Sequence, residues 1–164
     1  MRNKFYTVRG YQILNKKDKM LTSAMEDYLE MIYRCSRNGQ NTGIAAISAE
    51  LNVQAPSTTD MVQKLASHGL INYRKHQLVS LTKAGEDIGK FLYERHTAIE
   101  QFLRNIGAQD DLLEQTELIE HFIKLSTLKR INLFNAFFAN DGHFKAELDA
   151  FADTNDHLLN DNGI

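Results

Sequence analysis

The 164-residue chain contains a single cysteine, Cys35, one proline and no tryptophan. One cysteine cannot pair within the chain, which excludes an internal disulfide framework and favours a reducing compartment. The first ten residues, MRNKFYTVRG, contain no apolar export segment, and no apolar run is long enough to span a bilayer. We therefore expect a soluble, cytoplasmic protein with no membrane partner.

Net charge is small but unevenly distributed. It is −2 at pH 7, yet residues 1–80 hold 11 Lys and Arg against 6 Asp and Glu, whereas residues 81–164 hold 8 against 15. A basic half is suited to a polyanion, and an acidic half is suited to cations. The alternative is that both halves are ordinary solvated surfaces with a chance imbalance.

Residues 21–81 carry the pattern of a winged helix-turn-helix domain. Helices are predicted at 23–37, at 44–51 and from Pro56 to a stop at Gly69, followed by short β-like runs at 71–73 and 78–81. Ser23 and Glu26 have the spacing of a capping box, and Pro56 suits the first turn of a helix, where its missing N–H has no partner. The order helix, helix, short turn, helix and hairpin is typical of this domain.

Residues 82–152 are predicted to be entirely helical, so the expected fold class is mostly α with a small β-wing. Helices are expected at 82–106, from Asp110 or Asp111 to 123, from Ser126 to 139 and at 143–152. The third of these exposes more apolar surface than a small helix usually keeps to itself, with Ile131, Phe134, Phe137 and Phe138. A second subunit could cover this surface. Residues 1–20 are expected to form an N-terminal arm, and residues 153–164 a flexible tail.

In a winged helix-turn-helix, the N-terminal residues of the second helix of the pair reach base edges in the DNA major groove. Basic residues of that helix and of the wing neutralise phosphates. The candidate DNA-binding residues are Gln54, Pro56, Ser57, Thr58, Thr59, Lys64, Arg74 and Lys75. The alternative is that Ser57 and the two threonines only cap the helix. Asp60 is expected to accept from a base amine or an arginine, or to point away from the phosphates.

Two groups of polar residues each share one face of a predicted helix. They are Asp27 and Glu30 on the first helix, and Glu117, Glu120 and His121 on a later one. Both groups lie away from the apolar stripes of their own helices, so periodicity alone favours solvated faces. His96 differs because it borders the apolar stripe of the long helix, where a lone histidine is usually a hydrogen-bonded core residue.

Five stretches of the chain form a recognisable set in a fixed order. They are Met25-Glu26-Asp27-Tyr28-Leu29-Glu30, Met61-Val62-Gln63-Lys64-Leu65, Leu81-Thr82-Lys83-Ala84-Gly85, Arg95-His96 with Glu100-Gln101-Phe102-Leu103, and Glu117-Leu118-Ile119-Glu120-His121. Together they resemble the manganese-responsive branch of the diphtheria-toxin-repressor family, over roughly residues 22–137. Asp60, which replaces a residue that is often basic or neutral, and the longer arm depart from the family pattern.

The resemblance implies a metal-dependent DNA-binding transcriptional regulator, with a metal-binding and dimerisation domain after the winged helix. It implies a Mn²⁺-activated repressor of manganese-uptake genes that acts as a homodimer on a palindromic DNA operator. The implied ligands of a two-metal site are Asp27, Glu30, His96, Glu117, Glu120 and His121. Iron-sensing relatives carry Met and Cys where Asp27 and Glu117 stand here, and replacing sulfur with carboxylate favours Mn²⁺. Two Mn²⁺ ions per subunit are expected, and Fe²⁺, Zn²⁺, Cd²⁺ or Co²⁺ could also occupy the site.

Two rival interpretations differ from this one in class. Paired carboxylates with histidine also build di-metal enzymes, but none of the six histidines has an acid three residues before it, and no His-Glu-x-x-His occurs. We therefore expect no enzymatic activity. The second rival is a winged-helix regulator that senses a small organic ligand through its Phe-rich C-terminal helices. We expect no such ligand.

Overall fold

The computed structural model describes residues 21–40, 42–74, 77–108, 110–140 and 142–155. The predicted N-terminal arm, Lys75 and most of the predicted tail lie outside these residues. The described helices are α1 (Ser23–Arg37), α2 (Ile44–Glu50), α3 (Ala55–Ser67), α4 (Lys83–Asn105), α5 (Leu112–Glu120), α6 (Leu125–Asn140) and α7 (Gly142–Thr154). The described strands are β1 (Ile71–Asn72) and β2 (Ser80–Leu81). The expected fold class, mostly α with a small β-wing, is confirmed.

The chain divides into two compact units, Met1–Arg95 and His96–Ile164, so α4 contributes residues to both. This division falls inside a helix, whereas the predicted domain boundary lies between residues 81 and 82. The first unit contains α1 to α3, the hairpin and the first part of α4. The second contains the end of α4 and α5 to α7.

The first unit is a helix-turn-helix with a short antiparallel hairpin, in which Ile71 pairs with Leu81 and Asn72 with Ser80. Its core side chains are fully buried, and most of them occupy the inward face of a helix. They include Leu29, Ile32, Ile47, Val62, Leu65, Leu70, Ile88 and Leu92. The cysteine predicted to be unpaired, Cys35, is free and buried here, and burial raises the pKa of its thiol.

Two details of the first unit differ from the sequence-based expectations. The cap of α1 is Thr22, whose hydroxyl accepts from the Met25 amide at 3.3 Å, rather than Ser23, which is the first helical residue. The hairpin strands are shorter than predicted because Val79 forms its backbone hydrogen bonds with the loop before α2. Its amide donates to the Thr42 carbonyl at 3.2 Å, and the Thr42 hydroxyl donates to the Val79 carbonyl at 2.7 Å.

Two glycines allow α4 to lie unusually close to its neighbours. A Cβ atom on Gly85 would stand 1.8 Å from the Leu70 carbonyl oxygen, and one on Gly89 would stand 2.7 Å from the Tyr33 Cβ. The hydroxyl of Thr82 accepts from the Gly85 amide at 3.1 Å and donates to the same Leu70 carbonyl at 3.0 Å. The wing and the start of α4 are therefore joined through contacts that leave no space for a larger side chain.

In the second unit, α4 and α6 are joined by side-chain amides and aromatic rings. The Asn135 amide donates to the Ala98 carbonyl at 2.8 Å, and the Asn105 amide donates to Asn135 at 3.0 Å. Phe102 and Phe134 pack edge to face with ring centroids 5.3 Å apart. These contacts fix the end of α4 against α6.

Helix boundaries in the second unit also differ from the predicted ones. Helix α5 ends at Glu120, with His121 as its C-cap residue, instead of continuing to 123. Ser126 lies inside the first turn of α6 rather than capping it, because the Leu128 amide already donates to the Lys124 carbonyl at 2.9 Å. Among the described helices, none is long and apolar enough to cross a membrane.

Candidate metal centre and nucleic-acid interface

The first unit contributes two candidate ligands, Asp27 and Glu30, from the middle of α1. Their spacing of three residues places both on one side of the helix, as the sequence predicts. Asp27 is half-buried, and Glu30 is only 6% exposed. A carboxylate buried to this extent requires compensation, and Arg34 supplies it with Nη2 2.5 Å from Glu30 Oε1.

The second unit joins two of the other candidates directly. His96 Nδ1 lies 3.0 Å from Glu120 Oε2, and both residues are buried, with Glu120 only 2% exposed. His121 is adjacent, with Nε2 3.9 Å from Glu120 Oε1. His96 lies on α4 and is the first residue of this unit. Glu120 and His121 lie at the end of α5. Two imidazoles are thus grouped around one buried carboxylate.

The candidate carboxylates differ in how deeply they are buried. The alternative that all of them lie on solvated faces is wrong for Glu30 and Glu120, which are buried. Glu117, one turn before Glu120, is exposed. His96 contacts Glu120, as expected for a hydrogen-bonded core histidine. Its partner, however, is a carboxylate, which can also bind a metal ion.

The donor types present in both units fit a divalent cation. Carboxylate oxygens and imidazole nitrogens are the ligands that Mn²⁺ and similar ions accept, and a histidine ligand usually has a hydrogen-bonded second nitrogen. The Glu120 carboxylate is close enough to fix the orientation of the His96 ring. Charged side chains as deeply buried as Glu120 are rarely kept without a partner or a function.

An ion pair next to the candidate ligands was not predicted. Arg95 Nη2 lies 2.8 Å from Glu26 Oε2, with side chains that are 8% and 14% exposed. These residues immediately precede His96 and Asp27 in the chain. The pair joins α1 to α4 within the first unit. Residue spacing could not predict this ion pair, because its two residues are 69 positions apart in the chain.

The predicted DNA-reading helix is α3, and its N-terminus is accessible. Gln54, Pro56 and Ser57 are exposed at its start, and Gln54, the N-cap residue, makes no side-chain capping bond. Thr59 is half-buried and donates to the Ala55 carbonyl at 3.0 Å. Exposed amides at a helix N-terminus can bind phosphate oxygens.

One predicted DNA contact requires correction. The side chain of Thr58 is fully buried, and its hydroxyl accepts from the Ser48 hydroxyl at 2.9 Å, joining α2 to α3. A buried hydroxyl cannot reach DNA, so Thr58 holds the two helices together. The remaining basic candidates, Lys64 and Arg74, are exposed, and Asp60 is exposed as well.

The second unit exposes several large apolar side chains. They are Ile106, Leu113, Leu118, Phe122, Leu133, Phe137 and Phe151, of which Phe122 is 86% exposed. Part of the apolar surface predicted on α6 is covered within the unit, because Phe144 of α7 packs on Phe138 with ring centroids 5.4 Å apart. These exposed apolar side chains are available for contact with a partner.

Comparison with known families matches both parts of the chain. Residues 20–79 match the family described as iron dependent repressor, N-terminal DNA binding domain. Residues 82–149 match the iron dependent repressor metal binding and dimerisation domain. The chain is 39% identical over 113 residues to the HTH-type transcriptional regulator MntR of Lysinibacillus sphaericus (strain C3-41), covering 68% of this chain and 81% of that protein. It is 34% identical over 139 residues to MntR of Bacillus subtilis (strain 168), covering 84% and 98%.

Two solved structures of metal-responsive regulators are also similar to this chain. The manganese regulator SloR aligns with a TM-score of 0.60 and 32% identity, covering 67% of this chain and 52% of that one. The metal-dependent transcriptional regulator MtsR aligns with a TM-score of 0.62 and 25% identity, covering 69% and 54%. The chain thus spans about half the length of these two proteins. The expectation of a regulator rather than an enzyme is confirmed, and a sensor of a small organic ligand is not favoured. The chain belongs to the iron-dependent repressor family of metal-dependent DNA-binding transcriptional regulators.

Proposed function

We propose that the chain is a Mn²⁺-activated repressor of manganese-uptake genes that acts in the cytoplasm as a homodimer on a palindromic operator. The proposed ligands of two ions per subunit are Asp27, Glu30, His96, Glu117, Glu120 and His121. The observation that carries this proposal is the buried His96–Glu120 pair with His121 beside it. A carboxylate buried next to two imidazoles is the donor set that a divalent cation accepts, which supports the proposal.

The choice of manganese rests on the proposed donors. All six are oxygen or nitrogen ligands, and the chain's single cysteine, Cys35, is buried and not among them. Carboxylate-rich sites suit Mn²⁺ better than sites with thiolate or thioether ligands do. The solved relative SloR is itself a manganese regulator, which supports the same choice of ion. Because affinities rise from Mn²⁺ towards Cu²⁺ at most sites, Fe²⁺, Co²⁺, Zn²⁺ and Cd²⁺ are expected to compete in vitro.

The proposed switch depends on how the ligands are divided. Asp27 and Glu30 belong to the first unit, and the other four belong to the second. When bound, divalent cations would balance the negative charge of these carboxylates, of which Arg34 offsets only that of Glu30. Without metal, carboxylates gathered in one site would repel one another, so the DNA-reading unit would keep more conformational freedom. Ligands shared between units would restrict this freedom and so lower the ordering cost of DNA binding.

DNA recognition is assigned to α3 and the wing. Gln54, Pro56, Ser57 and Thr59 are proposed to face base edges or phosphates, and Lys64, Arg74 and Lys75 are proposed to neutralise phosphates. In a symmetric dimer, two such helices would read half-sites about one DNA turn apart, roughly 34 Å. The exposed apolar side chains of the second unit support dimerisation through that unit.

Operator binding measured with and without Mn²⁺ tests this function. Wild-type protein should bind a labelled operator fragment only when Mn²⁺ is present. Glu117→Ala and His121→Ala should each fail to bind the fragment even with Mn²⁺, because the metal no longer activates them. Glu114→Ala is the matched control, because Glu114 is an exposed acid on the same helix and is not a proposed ligand.

Two results would contradict the proposal. Operator binding that is independent of metal, and that survives both ligand substitutions, would favour the small-molecule sensor instead. Binding that is activated by Mn²⁺ but lost equally in the Glu114→Ala control would assign the effect to general surface charge.

A further inference from the structure

Arg34 is placed to compete with a metal ion for Glu30. It lies one helical turn after Glu30 on α1, and its Nη2 is 2.5 Å from Glu30 Oε1. The Glu30 side chain is 8% exposed, whereas that of Arg34 is 34% exposed. The carboxylate proposed as a ligand therefore already has a cationic partner in the structure.

Arg34 also has a second contact surface within the same unit. Its guanidinium carbon lies 5.7 Å from the centre of the Tyr93 ring, and that of Arg37 lies 5.0 Å from the same centre. The Tyr33 and Tyr93 ring centroids are 6.0 Å apart. The Arg34 Nε is buried without a hydrogen-bond partner among the described residues. Arg34 is thus held by Glu30 on one side and an aromatic face on the other, with one donor unsatisfied.

From this arrangement we infer that Arg34 is a built-in competitor that sets how much metal the regulator needs. The inference rests on the proposed function, in which Glu30 is a metal ligand. Without metal, the guanidinium offsets the negative charge of this buried carboxylate. A cation on the same carboxylate would repel the guanidinium or displace it, and the Tyr93 ring remains available to the arginine. The Glu30–Arg34 ion pair therefore both stabilises the metal-free protein and weakens metal binding.

Loss of the Arg34 charge should lower the stability of the metal-free protein but raise its affinity for Mn²⁺. A purely structural role would lower stability without raising affinity. Replacing Arg34 by methionine keeps an aliphatic chain but removes the charge. The metal-free protein should then melt several degrees lower, because the buried Glu30 carboxylate loses its ion pair with Arg34. Mn²⁺ affinity should rise about tenfold, the lower end of what a charge within 4–6 Å produces, since Arg34 is partly exposed and screened.

Arg37→Met is the matched control. It removes a positive charge from the same helix, and Arg37 contacts the same Tyr93 ring. Arg37 is exposed, however, and it lies two turns, roughly 10 Å, from Glu30 along the helix axis. Its effect on Mn²⁺ affinity should be about twofold or less because solvent and salt screen it. Arg34→Lys, which keeps the charge, should stay close to wild type in both measurements.

The experiment is calorimetric titration of Mn²⁺ into each metal-free variant, together with a thermal melt without metal. Arg34→Gln supplies the neutral measurement if Arg34→Met does not fold. An affinity for Mn²⁺ that is unchanged or weaker in the neutral variant would overturn the inference and leave Arg34 as a purely structural partner of Glu30. Glu30→Gln tests the underlying assignment separately. If it binds Mn²⁺ as tightly as wild type, Glu30 is not a ligand and the proposed site itself is wrong.

Discussion

Replacing Glu120 with glutamine isolates the charge at the centre of the proposed site. The side chain is 2% exposed and keeps nearly the same volume, so neither a cavity nor a steric clash is expected. Its contact with His96 Nδ1 at 3.0 Å changes from a charge-assisted hydrogen bond to a neutral one. That change should lower the stability of the metal-free protein by about 1 kcal/mol.

Metal binding should suffer far more than stability does. Loss of a hydrogen-bonded group beside a metal ligand typically costs 10- to 100-fold in affinity, so loss of an anionic ligand should cost about 100-fold or more. With free Mn²⁺ at about 100 times the wild-type Kd, wild type gains about 2.7 kcal/mol of stability from binding. A 100-fold weaker variant gains only about 0.4 kcal/mol under the same conditions.

Thermal melts with and without Mn²⁺ measure this difference directly. Wild type and the exposed-acid control Glu114→Gln should both show a clear upward shift of Tm on adding Mn²⁺, and Glu120→Gln should show almost none. If Glu120→Gln retains the full shift, Glu120 carries no charge that the metal uses, and the reasoning from its burial beside His96 fails.

Two other substitutions test the fold on which the site depends. Gly85→Ala should destabilise the protein by about 2 kcal/mol or more, because its Cβ would meet a backbone oxygen at 1.8 Å, whereas Gly142→Ala, with nothing within 4 Å, should leave the denaturation midpoint nearly unchanged. Equal midpoints for the two alanine variants would contradict the close approach. Thr58→Val should lower stability by about 1 kcal/mol, since it removes a buried hydrogen bond, while Ser57→Ala should weaken operator binding without changing stability. Finding stability unchanged in Thr58→Val would show that its hydroxyl has no structural role.

The helices of the first unit were largely predictable from local patterns. Apolar spacing gave the bounds of α1, and Pro56 indicated the start of α3, because both signals act within one or two turns. The cap was misplaced by one residue since Thr22 and Ser23 offer equivalent hydroxyls, and only the backbone conformation distinguishes them.

The burial of the candidate site could not be predicted from periodicity. A helix's own pattern reports only the face that meets its apolar core, so Glu30 and Glu120 looked solvated. Glu120 is buried beside His96, which lies 24 residues earlier in the chain, and Thr58 is buried by Ser48 of another helix. Such contacts depend on packing between elements. The family resemblance placed His96 and Glu120 in one proposed site, whereas no signal in the sequence indicated the contact of Thr58 with Ser48.

The central claim is that six side chains from two parts of the chain hold a pair of cations. Anomalous diffraction from crystals of the full chain grown with Mn²⁺ tests it most directly. Two manganese peaks per subunit are expected, with Glu120 and both His96 and His121 among the coordinating residues. Manganese peaks only at surface carboxylates, with His96 still bonded to Glu120 and no ion beside them, would contradict it.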